Sequence, residues 1–397
     1  MKVFAISTWS PLPLVNGSTL RAFHLLRALA ARHDVDLVAF SAPGAPSDDD
    51  VAHLRRLCRT VTILPRSPFT PVAGRARHGL LSMTPRSLVA TDDPEVRALV
   101  AARSASAHLA VGFGLSAARY LEGLGMPAVF EEAEPRQIQG QAEQATAWPQ
   151  RARLRLTWWK HAHYLRRLAG ACAAITVVSE QEQRSLISIG VEASRIHLVP
   201  NGADAADLAR PRVVATPPRL IYAGAVTYPP NLDAVTWFLA EVMPRVRAAR
   251  PDAELWVTGD TGDVALDRLR ATGHVRFTGR LPDVKDAISG STVAIVPLLS
   301  GGGTRLKVLE ALALGTPVVS TRKGAEGLAV VDGEDVLLGD SPQDFAAAVL
   351  RVLGDTALAA RLSSAGRARV AGTYTWDAIA RGFLDVVEVA SRSTEVR

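Results

Sequence analysis

Strand-length apolar runs alternate with helix-period runs along nearly the whole chain, and the pattern restarts after a proline-rich break around Pro211, Pro217 and Pro218. Each helical run between two strands returns the second strand parallel to the first, so the chain is predicted to be α/β, with parallel sheets joined by right-handed crossovers. Strands are expected at 3–7, 35–40, 61–64, 109–111, 128–130 and 174–177, then at 219–223, 254–257, 275–277, 293–296 and 317–320. Leu20, Phe23, His24 and Arg27 stand at i, i+3, i+4 and i+7, which predicts a helix over 19–32. A second helix is expected over 232–249, after the Pro229-Pro230-Asn231 turn and before Pro251.

With 397 residues the chain exceeds what one core usually supports. Two doubly wound domains are expected, at 1–207 and 208–375, with a last helix over 376–397 packing back on the first. The two cysteines, Cys58 and Cys172, lie far apart without zinc or redox spacing, which points to a reducing compartment and no metal site. Ser10, Pro11 and Pro13 interrupt the opening apolar run before it reaches leader length, so it reads as a buried strand. No run of about 20 apolar residues predicts a membrane span. A cytoplasmic chain is the expectation. The net charge of +6 admits phosphorylated ligands, anionic membrane or nucleic acid as partners.

The most informative stretch runs from Ile295 to Pro317. An apolar strand empties into Gly301-Gly302-Gly303-Thr304, and a helix carrying Arg305, Lys307 and Glu310 starts at once. Glycines let backbone N–H groups approach a ligand, and a helix N-terminus adds partial positive charge, so this is an anion site by construction. Two cations in a first turn are unfavourable unless an anion neutralises them. The alternative is a surface loop before an ordinary helix, with Glu310 pairing to Lys307 at i, i+3. A Walker-type loop is excluded because the Lys-Ser/Thr pair that closes it is missing.

This region resembles the signature of retaining glycosyltransferases of family 4, which have the GT-B fold. The resemblance extends to Val199-Pro200-Asn201-Gly202-Ala203-Asp204, Tyr222-Ala223-Gly224 and Tyr374-Thr375-Trp376-Asp377. It implies two Rossmann-like domains facing a cleft that holds a nucleoside-diphosphate sugar as donor substrate, with no other cofactor. It implies that Glu310 binds the nucleotide ribose. The glutamate that the family carries eight positions earlier is absent, because Gly302 stands there. The Arg and Lys that many relatives place after the strand at 219–223 are also missing, and Arg305 and Lys307 are expected to supply that charge as catalytic residues. Gly224 and Arg280, each just beyond a predicted strand, join the donor-binding set. In the first domain the resemblance implies that Gly17, with Ser18 and Arg21 beside it, meets the donor's distal phosphate.

After the strand at 128–130 comes Glu131-Glu132-Ala133-Glu134. Ligands of open α/β sheets bind at such strand ends, and crowded carboxylates raise one another's pKa, so Glu131 and Glu134 are candidates to orient an acceptor hydroxyl. A solvated acidic loop is the other reading. His24 reads as a packed core histidine, and His161 and His163 lack a ligand-spaced partner. A competing motif, Gly112-x-Gly114-x-x-Ala117 followed by Glu131, matches a dinucleotide fingerprint and would make the chain a nicotinamide-dependent oxidoreductase. A sugar-nucleotide epimerase on the same scaffold is a further alternative. Arg151, Arg153, Arg155, Lys160, Arg166 and Arg167 interleave with Trp148, Trp158, Trp159 and Tyr164. That composition suits peripheral binding to anionic membrane and a lipid-linked, sugar or small-molecule acceptor, or else a helix with its aromatics in the core; no nucleic-acid module accompanies it.

Overall fold

The computed structural model describes residues 1–41, 45–73, 82–136, 139–140, 147–301 and 305–392. The chain divides into two compact units, one of Met1–Pro200 with the segment from Ala380 on, the other of Asn201–Ile379. The break falls ahead of the 207/208 junction expected from sequence. Its cause is local: Lys285 pairs with Asp204 and Asp207 at 3.3 and 2.8 Å, and Ala203 bridges Thr375, so this stretch is held by the second unit.

The first unit is built on seven parallel strands in the order β3-β2-β1-β4-β5-β6-β7. They are β1 Lys2–Ser7, β2 Asp34–Phe40, β3 Thr60–Leu64, β4 Leu109–Phe113, β5 Ala128–Glu131, β6 Ala174–Val177 and β7 Ile196–Leu198. A sheet covered on both faces needs unbroken apolar strands, and Val3 through Ile6 are fully buried. The helix Gly17–Arg32 follows β1, its start fixed by a reciprocal cap between Asn16 and Thr19. The last helix, Trp376–Arg392, brings Phe383 against Phe113, ring centroids 6.3 Å apart.

The second unit carries six parallel strands in the order β10-β9-β8-β11-β12-β13. They are β8 Arg219–Ala223, β9 Glu254–Thr258, β10 Val275–Gly279, β11 Val293–Val296, β12 Val318–Ser320 and β13 Leu337–Leu338. Sequence periodicity misses β7 and β13, which are too short to show alternation. The helix expected over 232–249 begins at Pro229 and is broken by a π turn, Phe238–Val242, before resuming as Met243–Ala249. Pro244 explains the interruption: it has no N–H to donate, and the wider turn makes room for its ring.

Strand order reverses between β1 and β4 in one sheet and between β8 and β11 in the other. Outside the carboxyl ends of strands at such a switch, the loops diverge and leave a crevice where ligands of open α/β sheets bind. The Gly112-Gly114 pair at the first switch has a packing explanation. A Cβ on Gly112 would lie 2.6 Å from Ala118 Cα, and Gly114 turns the chain at φ +78°.

Candidate active site

At the second switch, Tyr222 near the end of β8, Gly224 just beyond it, Asn231 of the helix Pro229–Trp237 and Lys307 of the helix Leu306–Ala313 meet. Lys307 Nζ donates to Tyr222 Oη at 2.8 Å and to Asn231 Oδ1 at 3.0 Å, and lies 4.2 Å from the centre of the Tyr222 ring. Tyr222 Oη donates to Asn231 Oδ1 at 2.6 Å, and Asn231 Nδ2 donates to the Ala225 carbonyl at 2.8 Å. A Cβ on Gly224 would stand 2.7 Å from Lys307 Nζ, so a larger residue there would displace the lysine from this arrangement. Burial first, and the Arg305 charge second, pull the Lys307 pKa down to about 7. Among the described residues Lys307 has no carboxylate partner.

Arg305 is buried and reaches back along the chain to Gly301. Its guanidinium donates to the Gly301 carbonyl at 2.9 Å and to the Lys323 carbonyl at 3.3 Å, with Glu326 at 3.9 Å. Gly301 holds φ +102°, a conformation open to glycine. Gly302, Gly303 and Thr304 lie outside the described residues. Glu310, on the same helix as Lys307, is partly buried. It does not pair with Lys307. Burial pushes its carboxyl up to about 7, with Lys285 opposing and Asp207, Asp283 and Asp204 adding to the rise. Arg280 is exposed beyond β10 and pairs with Asp260 at 3.2 Å.

In the first unit two expectations are corrected. Arg21 is 0% exposed and Glu131 1%, and they pair at 2.5 Å. The guanidinium also donates to the Val199 and Pro200 carbonyls, at 2.8 and 2.9 Å. Arg21 therefore fastens its helix to β5 and to the exit of β7, and its charge is not presented to a phosphate. Glu131 is its internal counter-ion and cannot orient an acceptor. Gly17 and Ser18 open their helix, where backbone amides have no intrahelical acceptor.

The neighbouring Glu132 has a different setting. It sits at φ 62°, a left-handed conformation that costs a side-chain-bearing residue about 1 kcal/mol. With Glu134, it lines a cavity of about 400 Å³ inside the first unit, together with Trp9, Ser18, Phe69 and His161. Burial, then Glu134 and Glu131, push the Glu132 carboxyl well up. A run of three glutamates announces an acidic loop, but which of them faces the cavity depends on one backbone reversal that composition does not encode. Tyr222, Asn231 and His161 had no sequence signal as site residues, because their roles come from partners distant in the chain.

Residues 15–207 match the family described as Glycosyltransferase Family 4, and residues 217–355 match the one described as Glycosyl transferases group 1. The chain belongs to glycosyltransferase family 4. Its two Rossmann-like sheets are those of the GT-B fold, in line with its structural neighbours. Sucrose-phosphate synthase from Thermosynechococcus elongatus superposes over 100% of both chains with a TM-score of 0.70 at 20% identity. HepE from Anabaena, solved with UDP and glucose, superposes over 97% of this chain and 99% of its own with a TM-score of 0.67 at 13% identity. In sequence, this family 4 chain is 31% identical to a Mycobacterium tuberculosis glycogen synthase over 50% of each chain. It is 28% identical to a phosphatidyl-myo-inositol mannosyltransferase of Mycolicibacterium smegmatis over 57% of this chain and 59% of that one. It thus spans about half the length of the curated relatives it matches. With Glu131 sealed by Arg21, the dinucleotide reading of this family 4 chain loses the acidic residue that would hold a ribose.

Proposed function

We propose that the chain transfers a hexosyl group from a nucleoside-diphosphate sugar to an acceptor hydroxyl, with retention of configuration and without a metal ion. The observation that carries this reading is Lys307, a half-buried cation held by two neutral side chains at the second switch point. A buried charge without a counter-ion is costly, and a diphosphate oxygen would supply the counter-ion. As the sugar leaves, negative charge grows on the diphosphate. Lys307 and the N-terminus of the helix Leu306–Ala313 meet that charge. Glu310 accepts hydrogen bonds from the ribose. Family membership and the UDP and glucose held by HepE support the donor class.

A thermal-shift panel of sugar nucleotides, followed by assay of nucleoside diphosphate release with and without acceptors, tests the proposal. Stabilisation by at least one sugar nucleotide and release that persists in chelator are expected. Stabilisation by none of them contradicts it.

Glu310→Gln is expected to weaken nucleoside diphosphate binding about 10- to 100-fold, the range for a hydrogen bond to a charged group, as read by calorimetry. The pH dependence has two limbs. Glu310 must lose its proton to accept from two hydroxyls, so binding tightens as pH rises toward about 7. Lys307 must keep its proton, so binding weakens as pH rises beyond about 7. Glu310→Gln removes the acid limb and leaves the alkaline one.

We further propose that the helix Trp148–Ala171 rests on anionic membrane. Trp148 is 80% exposed, Leu156 and Trp159 are over half exposed, and Arg151, Arg153 and Arg155 are exposed between them. No helix among the described residues is long and apolar enough to cross a membrane. Co-sedimentation with phosphatidylglycerol vesicles is expected, weaker at high salt and lost in a Trp148→Ala/Trp159→Ala variant. Equal binding to neutral vesicles contradicts it.

A further inference from the structure

Asn231 stands in the first turn of the helix Pro229–Trp237, a turn that carries no acidic residue. A carboxylate at this position would be favoured by the partial positive charge of the helix N-terminus. It would be favoured again by the ammonium of Lys307, which lies 3.0 Å from Asn231 Oδ1. A neutral amide forgoes both attractions, and its presence calls for another reason. One part of that reason is structural. Asn231 Nδ2 donates to the Ala225 carbonyl at 2.8 Å and ties the turn after β8 to the helix. Because a carbonyl only accepts and an ammonium only donates, the two bonds fix which end of the amide faces the lysine.

The other part lies in the hydrogen bonds around Lys307. Tyr222 has one hydroxyl proton, which goes to Asn231 Oδ1 at 2.6 Å, so toward Lys307 the hydroxyl is an acceptor. An ammonium has three N–H donors. Two of those on Lys307 go to Tyr222 and Asn231, and the third has no partner among the described residues. The charged and titratable groups that bear on the lysine are Arg305, which repels its charge, and Tyr222, whose hydroxyl is kept protonated by burial.

We propose that Asn231 is a positioning residue of the donor site: its neutral oxygen fixes the Lys307 ammonium in place and leaves the positive charge, with one N–H, for a phosphoryl oxygen. The inference rests on the transferase reading above and adds to it the residue that readies the lysine. An aspartate would hold the ammonium firmly but neutralise it, and an incoming diphosphate would have to displace an ion pair. An apolar residue would remove one acceptor from the ammonium and favour its neutral form. A neutral acceptor avoids both outcomes.

The test compares the full wild-type chain with Asn231→Asp and Asn231→Ala by calorimetry with UDP, GDP and ADP, from mildly acid to mildly alkaline pH. Wild-type binding weakens as pH rises beyond about 7, where Lys307 loses its proton. In Asn231→Asp this alkaline limb is expected to move up by about one pH unit or more, and binding on its acid side to weaken about tenfold or more. In Asn231→Ala the limb is expected to move down, because the charged lysine has lost an acceptor. Weaker binding with the limb unmoved, in either variant, would mean a structural role through Ala225 alone and overturns the inference. Undiminished binding by Asn231→Asp on the acid side overturns it as well. Urea melts without ligand read the same lysine. Wild-type stability gains as pH rises above about 7, since the unfolded lysine keeps a proton that the folded one has lost, and the gain is expected to shrink in Asn231→Asp. An equal gain in that variant overturns the inference while leaving nucleotide binding by the wild type untouched. Should the wild type bind none of the three nucleotides, the transferase reading itself falls and the inference with it.

Discussion

Lys307→Ala is expected to lower the rate of sugar transfer by about 10²- to 10³-fold, the range seen when a preorganised group that stabilises developing charge is removed. The rate falls because no carboxylate among the described residues neutralises Lys307 Nζ at the switch point, so its charge is available to the leaving diphosphate. Folding should not suffer. Tyr222 Oη still donates to Asn231 Oδ1 in the variant, so no buried polar atom is orphaned. A half-buried lysine whose pKa falls from 10.5 to about 7 is a cost to the folded state at neutral pH. Without ligand, the unfolded chain binds a proton that the folded chain lacks across that window, so wild-type stability gains with rising pH there and the variant loses this gain. Initial rates and urea melts on the two proteins check both halves. Equal rates would remove Lys307 from the mechanism.

Arg21→Ala is expected to destabilise the first unit by about 3–5 kcal/mol, the range for breaking a buried ion pair from one side. Glu131 would remain 1% exposed without a counter-ion, and the Val199 and Pro200 carbonyls would lose their donors. In a thermal melt the loss corresponds to roughly 10 °C for a unit of this size. Replacing both partners, as Arg21→Leu with Glu131→Leu, should recover most of the loss, because the desolvated charge is then gone. An unchanged melting temperature in Arg21→Ala would return Arg21 to the list of phosphate-binding candidates.

The contrast between these two arginine and lysine sites shows what the sequence reveals. The parallel α/β architecture was legible because apolar strand runs and helix-period runs are local patterns, and the glycine turn before Arg305 and Lys307 is a local signal of an anion site. Arg21 was misread because its partner lies 110 residues away, so nothing near it in the chain marks it as buried. Glu131 and Glu132 are neighbours of identical chemistry, and only the backbone reversal at φ 62° separates the buried counter-ion from the cavity wall. Tyr222 and Asn231 reach Lys307 from two other elements, a meeting that only the switch-point topology brings about. The π turn at Phe238–Val242 was hidden for a different reason, since Pro244 signals a break without saying how the helix absorbs it.

A crystal structure of the chain with a nucleoside diphosphate tests the central claim most directly. A diphosphate oxygen is expected within hydrogen-bond distance of Lys307 Nζ, beside the turn at Gly301, with the ribose hydroxyls on Glu310. A diphosphate bound elsewhere, with Lys307 still held by Tyr222 and Asn231 alone, would contradict it.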